Sequence, residues 1–170
     1  MRRGLKGNKR AQSIMGLPFG LIFSIILIVV FIVFAFIAVK HFLSIGDCTS
    51  VGQFYTDFQK KINEAWTSQI SSFEYKIDLP SGVKKICFAN LSESVKGANA
   101  KEDYDEIERF SVYEANTFIV PVGKACDMPY KLINHINLEE ITKTRNPYCI
   151  SVSQKVQIKK DIYDKFVLIE

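Results

Sequence analysis

The sequence predicts an α+β protein with one N-terminal transmembrane helix, an amphipathic helix, and then a mostly antiparallel β-sheet with short helical insertions. Three observations carry this. From Ala11 to Val39, 29 consecutive residues bear no formal charge; Val51 to Trp66 repeats apolar residues at helical spacing; and from Phe73 onward short alternating or β-branched runs are separated by turn residues. The chain divides into a basic leader or tail (1–11), a membrane segment (12–43) and an extracytoplasmic domain (44–170).

The membrane segment is the clearest element. Its centre, Phe19 to Val39, is 21 almost wholly apolar residues, about 32 Å of helix at about 1.5 Å per residue, which matches a bilayer core of about 30 Å. The first ten residues hold Arg2, Arg3, Lys6, Lys9 and Arg10 and no carboxylate, whereas the far flank offers only Lys40 and His41 before Asp47. The positive-inside rule therefore predicts a cytoplasmic N-terminus, with the remaining chain outside the cell membrane and the lipid bilayer as first partner. An ordinary secretory leader has a shorter apolar core ending at a small-x-small site; this run is too long, and Ala35 and Ala38 do not make such a site. Gly16, Gly20 and Ser24 form a row of small residues of the kind that lets helices approach closely in lipid, although glycine is common in membrane helices and Pro18 interrupts the face.

Lys9-Arg10-Ala11-Gln12, with a short basic leader before it and a long apolar helix after it, resembles the class III signal of archaeal type IV pilin-like proteins. The resemblance implies a prepilin peptidase that cuts after Ala11 and leaves Gln12 as the new N-terminus, with like subunits as filament partners. Removing the basic leader would take away the charges that hold the helix end in the cytosol. There is one departure: Gly16 stands at the fifth mature position, where bacterial-type pilins carry a glutamate. Pro18 falls in the first turn, where its missing N–H costs nothing.

Beyond the membrane, Ser44 to Ser50 reads as a brief break, with Gly46 able to end the helix. A second helix then places Val51, Phe54, Tyr55, Phe58, Ile62, Ala65 and Trp66 on one face, a stripe expected to be buried against a sheet. Phe73 to Leu79 alternates apolar and charged residues; Pro80-Ser-Gly82 supplies turn chemistry, and Val83 to Phe88 returns as the second strand of a hairpin. Thr117 to Val120, Tyr148 to Val152, Val156 to Lys159 and Phe166 to Ile169 read as further strands, the middle two joined through Ser153-Gln-Lys155. A short helix is expected over Lys101 to Val112, with Tyr104, Ile107 and Phe110 inward. Another is expected over Leu138 to Lys143, capped by Asn137. Ser92 to Ala100, polar and holding Gly97, reads as the most mobile loop.

All 18 acidic residues but only 16 of the 22 basic ones follow residue 43, a net of −2, so the overall charge of +4 describes the basic tail and argues against a nucleic-acid partner. Cys48, Cys87, Cys126 and Cys149 all lie beyond the membrane segment without a Cys-x-x-Cys pair, and only His41 and His135 could supplement a metal site. Two disulfides are the expected reading, with the three pairings open. Asn90-Leu-Ser92 is a glycosylation sequon. Glu102, Asp103, Asp105, Glu106 and Glu108 lack the loop glycine and terminal glutamate of an EF-hand and read as a solvated helix start. His135 reads as structural, and no Gly-x-Ser-x-Gly, His-Glu-x-x-His or Walker loop occurs, so no enzyme, cofactor or metal is expected. The functional expectation is a pilin-like structural or minor filament component. The alternative is a signal-anchored surface binding or envelope accessory module that does not assemble.

Overall fold

The computed structural model describes residues 16–170. Ala11 and Gln12, the expected processing site, lie outside the described residues. The chain separates into two units, one ending at Ser44 and the other Ile45–Glu170. Helix α1, Gly16–Thr67, contributes to both.

In the first unit every side chain from Phe19 to Leu43 is exposed, including 19 large apolar ones such as Phe31, Phe34 and Phe42. The segment is long and apolar enough to cross a membrane. Gly20 has nothing within 4 Å of where a Cβ would stand, and the Ser24 hydroxyl donates to the Gly20 carbonyl (2.8 Å), turning back on its own helix.

The break expected at Ser44–Ser50 is absent, because α1 runs through it. Gly46 is helical, and the Thr49 and Ser50 hydroxyls donate to the Ile45 and Gly46 carbonyls (3.0 and 3.1 Å), so these polar residues are satisfied within the helix. A lone glycine costs a helix only about 1 kcal/mol, too little to end one.

In the second unit α1 supplies the spine. Val51, Phe54, Tyr55, Phe58, Ile62 and Ala65 are all buried, as their spacing predicts. Trp66 is the exception at the end of the stripe: it is 40 % exposed, and its Nε1 donates to the Lys165 carbonyl (3.2 Å).

Among the described residues seven strands form two sheets: β1 (Ser71–Lys76), β2 (Lys85–Phe88), β3 (Thr117–Val120), β4 (Tyr130–Lys131), β5 (Tyr148–Ser151), β6 (Lys155–Lys160) and β7 (Leu168–Ile169). One sheet has the order β1-β6-β7 and the other β4-β3-β2-β5, with every pairing antiparallel. The α+β expectation therefore holds, but as two sheets rather than one.

The expected hairpin does not form. β1 pairs with β6 and β2 with β3 and β5, so the Pro80–Gly82 turn carries the chain from one sheet to the other. The turn itself is as expected: Val83 N donates to the Pro80 carbonyl (3.2 Å) and Gly82 takes φ 106°. The tight turn after β5, with Gln154 N on the Ser151 carbonyl (2.9 Å), is a second such corner. Burial explains the division. β1 alternates half-buried and exposed residues, as a strand with one covered face must, whereas all four residues of β3 are buried.

Both faces of the four-stranded sheet are in fact covered. On one, Ile86, Phe88, Ile119 and Ile150 join the core built on α1; on the other, Cys87, Phe118 and Val120 pack with Ile107 and Val122. Ile107 comes from α2 (Lys101–Ile107), which continues as a 3-10 turn, Glu108–Phe110. Phe58 ties the two sheets to the helix, its ring 6.0 Å from Phe88 of β2 and 5.4 Å from Tyr75 of β1. Helix α3, Leu138–Ile141, is capped as expected by the Asn137 side chain, which accepts from Glu140 N.

Candidate functional site

Loops that cannot join a sheet are held by two buried asparagines whose carboxamides stand in for peptide groups. The Asn116 side chain donates to the Ile133 carbonyl and accepts from Ile133 N, both at 2.8 Å. Asn146, wholly buried, accepts from Asn90 N (3.0 Å) and donates to the carbonyls of Asn90 (2.8 Å) and Ser94 (3.2 Å). Its backbone also pairs with Lys96 in both directions. The Ser92–Ala100 loop, expected to be mobile, is thereby tethered. Gly97 belongs to the same device: it takes φ 89°, and a Cβ there would lie 3.1 Å from Arg145 Cγ.

The four cysteines form Cys48–Cys126 and Cys87–Cys149, an interlaced pairing. Cys87 and Cys149 face each other directly across β2 and β5. Their sulfurs and the Asp103 carboxylate lie within 4.8 Å of one another, a grouping of metal-ligand types. The donors are already committed, however, the sulfurs to each other and Asp103 to the Lys85 ammonium at 2.8 and 2.9 Å. Asp103 is buried, and Glu106 accepts from Val122 N (2.8 Å). Two carboxylates of the acidic run are thus structural, which corrects the reading of the whole run as a solvated helix start.

The Asn90 sequon nitrogen donates to Glu93 (2.9 Å), and Asn90 Oδ1 accepts from Ser92 N (3.1 Å). The His135 ring stacks on Trp66 with centroids 3.7 Å apart, on a backbone of φ 69°.

One concavity was not signalled by the sequence. Residues 126–134 run alongside α1 and are fastened to it at both ends. At one end is the Cys48–Cys126 disulfide. At the other, Gln59 accepts from Asn134 N (2.8 Å) and donates to the Asn134 carbonyl (3.3 Å). Between these fastenings lies an open cleft of about 830 Å³, with Gly52, Tyr55, Thr56 and Gln59 forming the helix wall. Their i, i+3, i+4, i+7 spacing is one helical face. The opposite wall includes Met128, Tyr130 and Leu132, and Glu114, Asp127 and Lys131 bring charge to it.

Tyr55 is the unusual member. It is only 4 % exposed, and its hydroxyl is a buried polar atom with no hydrogen-bond partner among the described residues. Burial pushes this phenol well above the ordinary tyrosine range. Tyr75, by contrast, is pushed up to about 12 by burial with help from the Asp57 and Asp78 charges. A buried orphan hydroxyl costs about 1–3 kcal/mol, so its place in the lining of a cleft calls for a reason.

No family model, curated protein or solved structure matches the chain. Tyr55 belongs to the stripe the sequence assigns to the core, but nothing in the local pattern marks its hydroxyl as unpaired. Tyr130 and Lys131 form a strand too short to leave a periodic signal, so the second wall was equally hidden.

Proposed function

We propose that this chain is a single-pass membrane protein with a cytoplasmic N-terminus and an Ile45–Glu170 unit displayed in an oxidising compartment outside the cell membrane, serving as a pilin-like structural or minor filament component. The observation that carries this reading is the composition of α1. The same helix is apolar and exposed around its whole circumference from Phe19 to Val39 and is the buried spine of an α+β domain from Val51 to Ala65. Side chains such as Ile25, Phe31 and Ile37 would be costly in water, whereas lipid or neighbouring copies of the helix would cover them. The two disulfides support an oxidising location for the domain. Lys9-Arg10-Ala11-Gln12 supports leader removal by a prepilin peptidase, and the row Gly16, Gly20 and Ser24 offers small residues for lateral helix packing.

Mass spectrometry of the mature N-terminus tests the filament reading. A chain beginning at Gln12 is the expected result, and an intact basic tail would refute it. The second reading, a signal-anchored binding or envelope accessory module that does not assemble, is favoured by the cleft and its unpartnered Tyr55 hydroxyl.

A further inference from the structure

We propose that the free edge of β1 pairs with the same edge of a second copy of the chain, antiparallel about a two-fold axis at Tyr75, joining the β1-β6-β7 sheets of the two copies into one. Among the described residues β1 pairs with β6 alone, and residues 71–79 make no backbone–backbone hydrogen bond beyond that pairing. An open edge presents a row of N–H and carbonyl groups that serves as a template for another strand. The usable edge is longer than β1 itself, because the alternation of covered and exposed side chains runs on without a slip through Ile77, Asp78 and Leu79. Tyr75 is the midpoint of that stretch.

The charges set both the register and the occupant. With Tyr75 on the axis, Ser72, Glu74, Lys76 and Asp78 of one copy stand opposite Asp78, Lys76, Glu74 and Ser72 of the other, so every carboxylate meets an ammonium or a hydroxyl. On the covered face Phe73 meets Ile77 and Tyr75 meets its own copy, which continues the apolar layer that half-buried Phe73 and Tyr75 leave open at the edge. Lys76 gains most. Within its own chain it stands directly opposite Lys155, a like charge that Glu74 already engages, and it has no ion-pair partner among the described residues. An edge lysine ordinarily repels an added strand, and only a carboxylate opposite it lifts that bar. A two-fold at Glu74 or at Lys76 would oppose like charges, and one at Ile77 would set Glu74 against Pro80, which has no N–H to give. A slip of one residue would turn Phe73 and Tyr75 to the outer face. The segment is thus its own complement, the property that a closed two-fold contact requires. The contact goes beyond the anchoring and filament assembly proposed above and depends on neither, so the N-terminal sequence and the edge pairing can fail separately.

Sedimentation of the full chain in a nonionic detergent at low salt, across a range of protein concentrations, reads the association. The contact is small, so a monomer–dimer equilibrium in the micromolar range is expected. Glu74→Lys and Lys76→Glu should each weaken it by about 10-fold or more, since each turns two attractive cross-strand pairs into two repulsive ones. Both positions are exposed, so the variants stay folded. An equimolar mixture of the two variants should recover the dimer, because at positions 74 and 76 one chain then offers two ammonium groups and the other two carboxylates. Combining both substitutions in one chain should restore self-association to within about 3-fold of wild type. A chain that is monomeric at every concentration overturns the proposal. So does association that both reversals leave unchanged, which would belong to the apolar part of α1, that only one of them weakens, or that the mixture fails to recover.

Discussion

Replacing Asn146 by alanine gives a sharp quantitative test of how the outer loops are held. The side chain is wholly buried and satisfies both Asn90 N–H and the Asn90 carbonyl, along with the carbonyl of the exposed Ser94. Water can replace the partner of Ser94 but not readily those of Asn90. Two stranded backbone groups at about 1–3 kcal/mol each give a loss of about 3 kcal/mol. The Ile45–Glu170 unit has 126 residues, so an unfolding entropy of about 2.1 cal/mol/K per residue converts this to a fall of about 11 °C in Tm. Thermal melting by circular dichroism, with hydrogen exchange at the Asn90 amide, reads the effect. Asn146→Asp keeps the acceptor for Asn90 N and should fall between wild type and alanine. A drop below about 3 °C would mean that the carboxamide is not the tether, since that is about 1 kcal/mol or less on the same scale.

Phe58→Ala should cost about 3–5 kcal/mol in denaturant unfolding, because the ring is 1 % exposed and contacts both sheets; a loss under about 1 kcal/mol would contradict its bridging role. A non-reducing peptide map should return Cys48–Cys126 and Cys87–Cys149. Graded reductant should open Cys48–Cys126 first, since both its residues are half-buried while Cys87 is fully buried. Alkaline titration should show the native state holding protons on Tyr55 and Tyr75 above pH 10, where an unfolded phenol ionises. Because the folded values are raised, this stabilisation is complete below about pH 10 and is lost as pH rises, through about 12 for Tyr75 and further for Tyr55, at no more than about 1.4 kcal/mol per pH unit for each phenol. Ultraviolet titration finding every tyrosine ionised near pH 10 in the native state would contradict it.

What the sequence discloses and what it withholds divide along local and non-local physics. The stripe from Val51 to Ala65 and the alternation in β1 are periodic, so side-chain direction follows from spacing alone. The Asn137 cap is equally local. Strand partners are different: the pairing of β1 with β6 and of β2 with β5 depends on which faces other elements cover, and a turn signal such as Pro80-Ser-Gly82 fits a sheet-to-sheet corner as well as a hairpin. Gly46 misleads because helix propensity is a weak prior beside long helical flanks. Asn116 and Asn146 look like turn residues until folding buries them, and the cleft exists only because Cys48 and Gln59 hold a distant segment against the helix.

The central claim is that the apolar part of α1 crosses lipid with the disulfide-bonded domain on the far side. Protease protection measures this most directly, comparing intact cells with inside-out membrane vesicles. The account predicts that the Ile45–Glu170 domain is digested from outside whole cells, once its disulfides are reduced, and is sheltered in the vesicles. A domain sheltered in cells and digested in inside-out vesicles would contradict it.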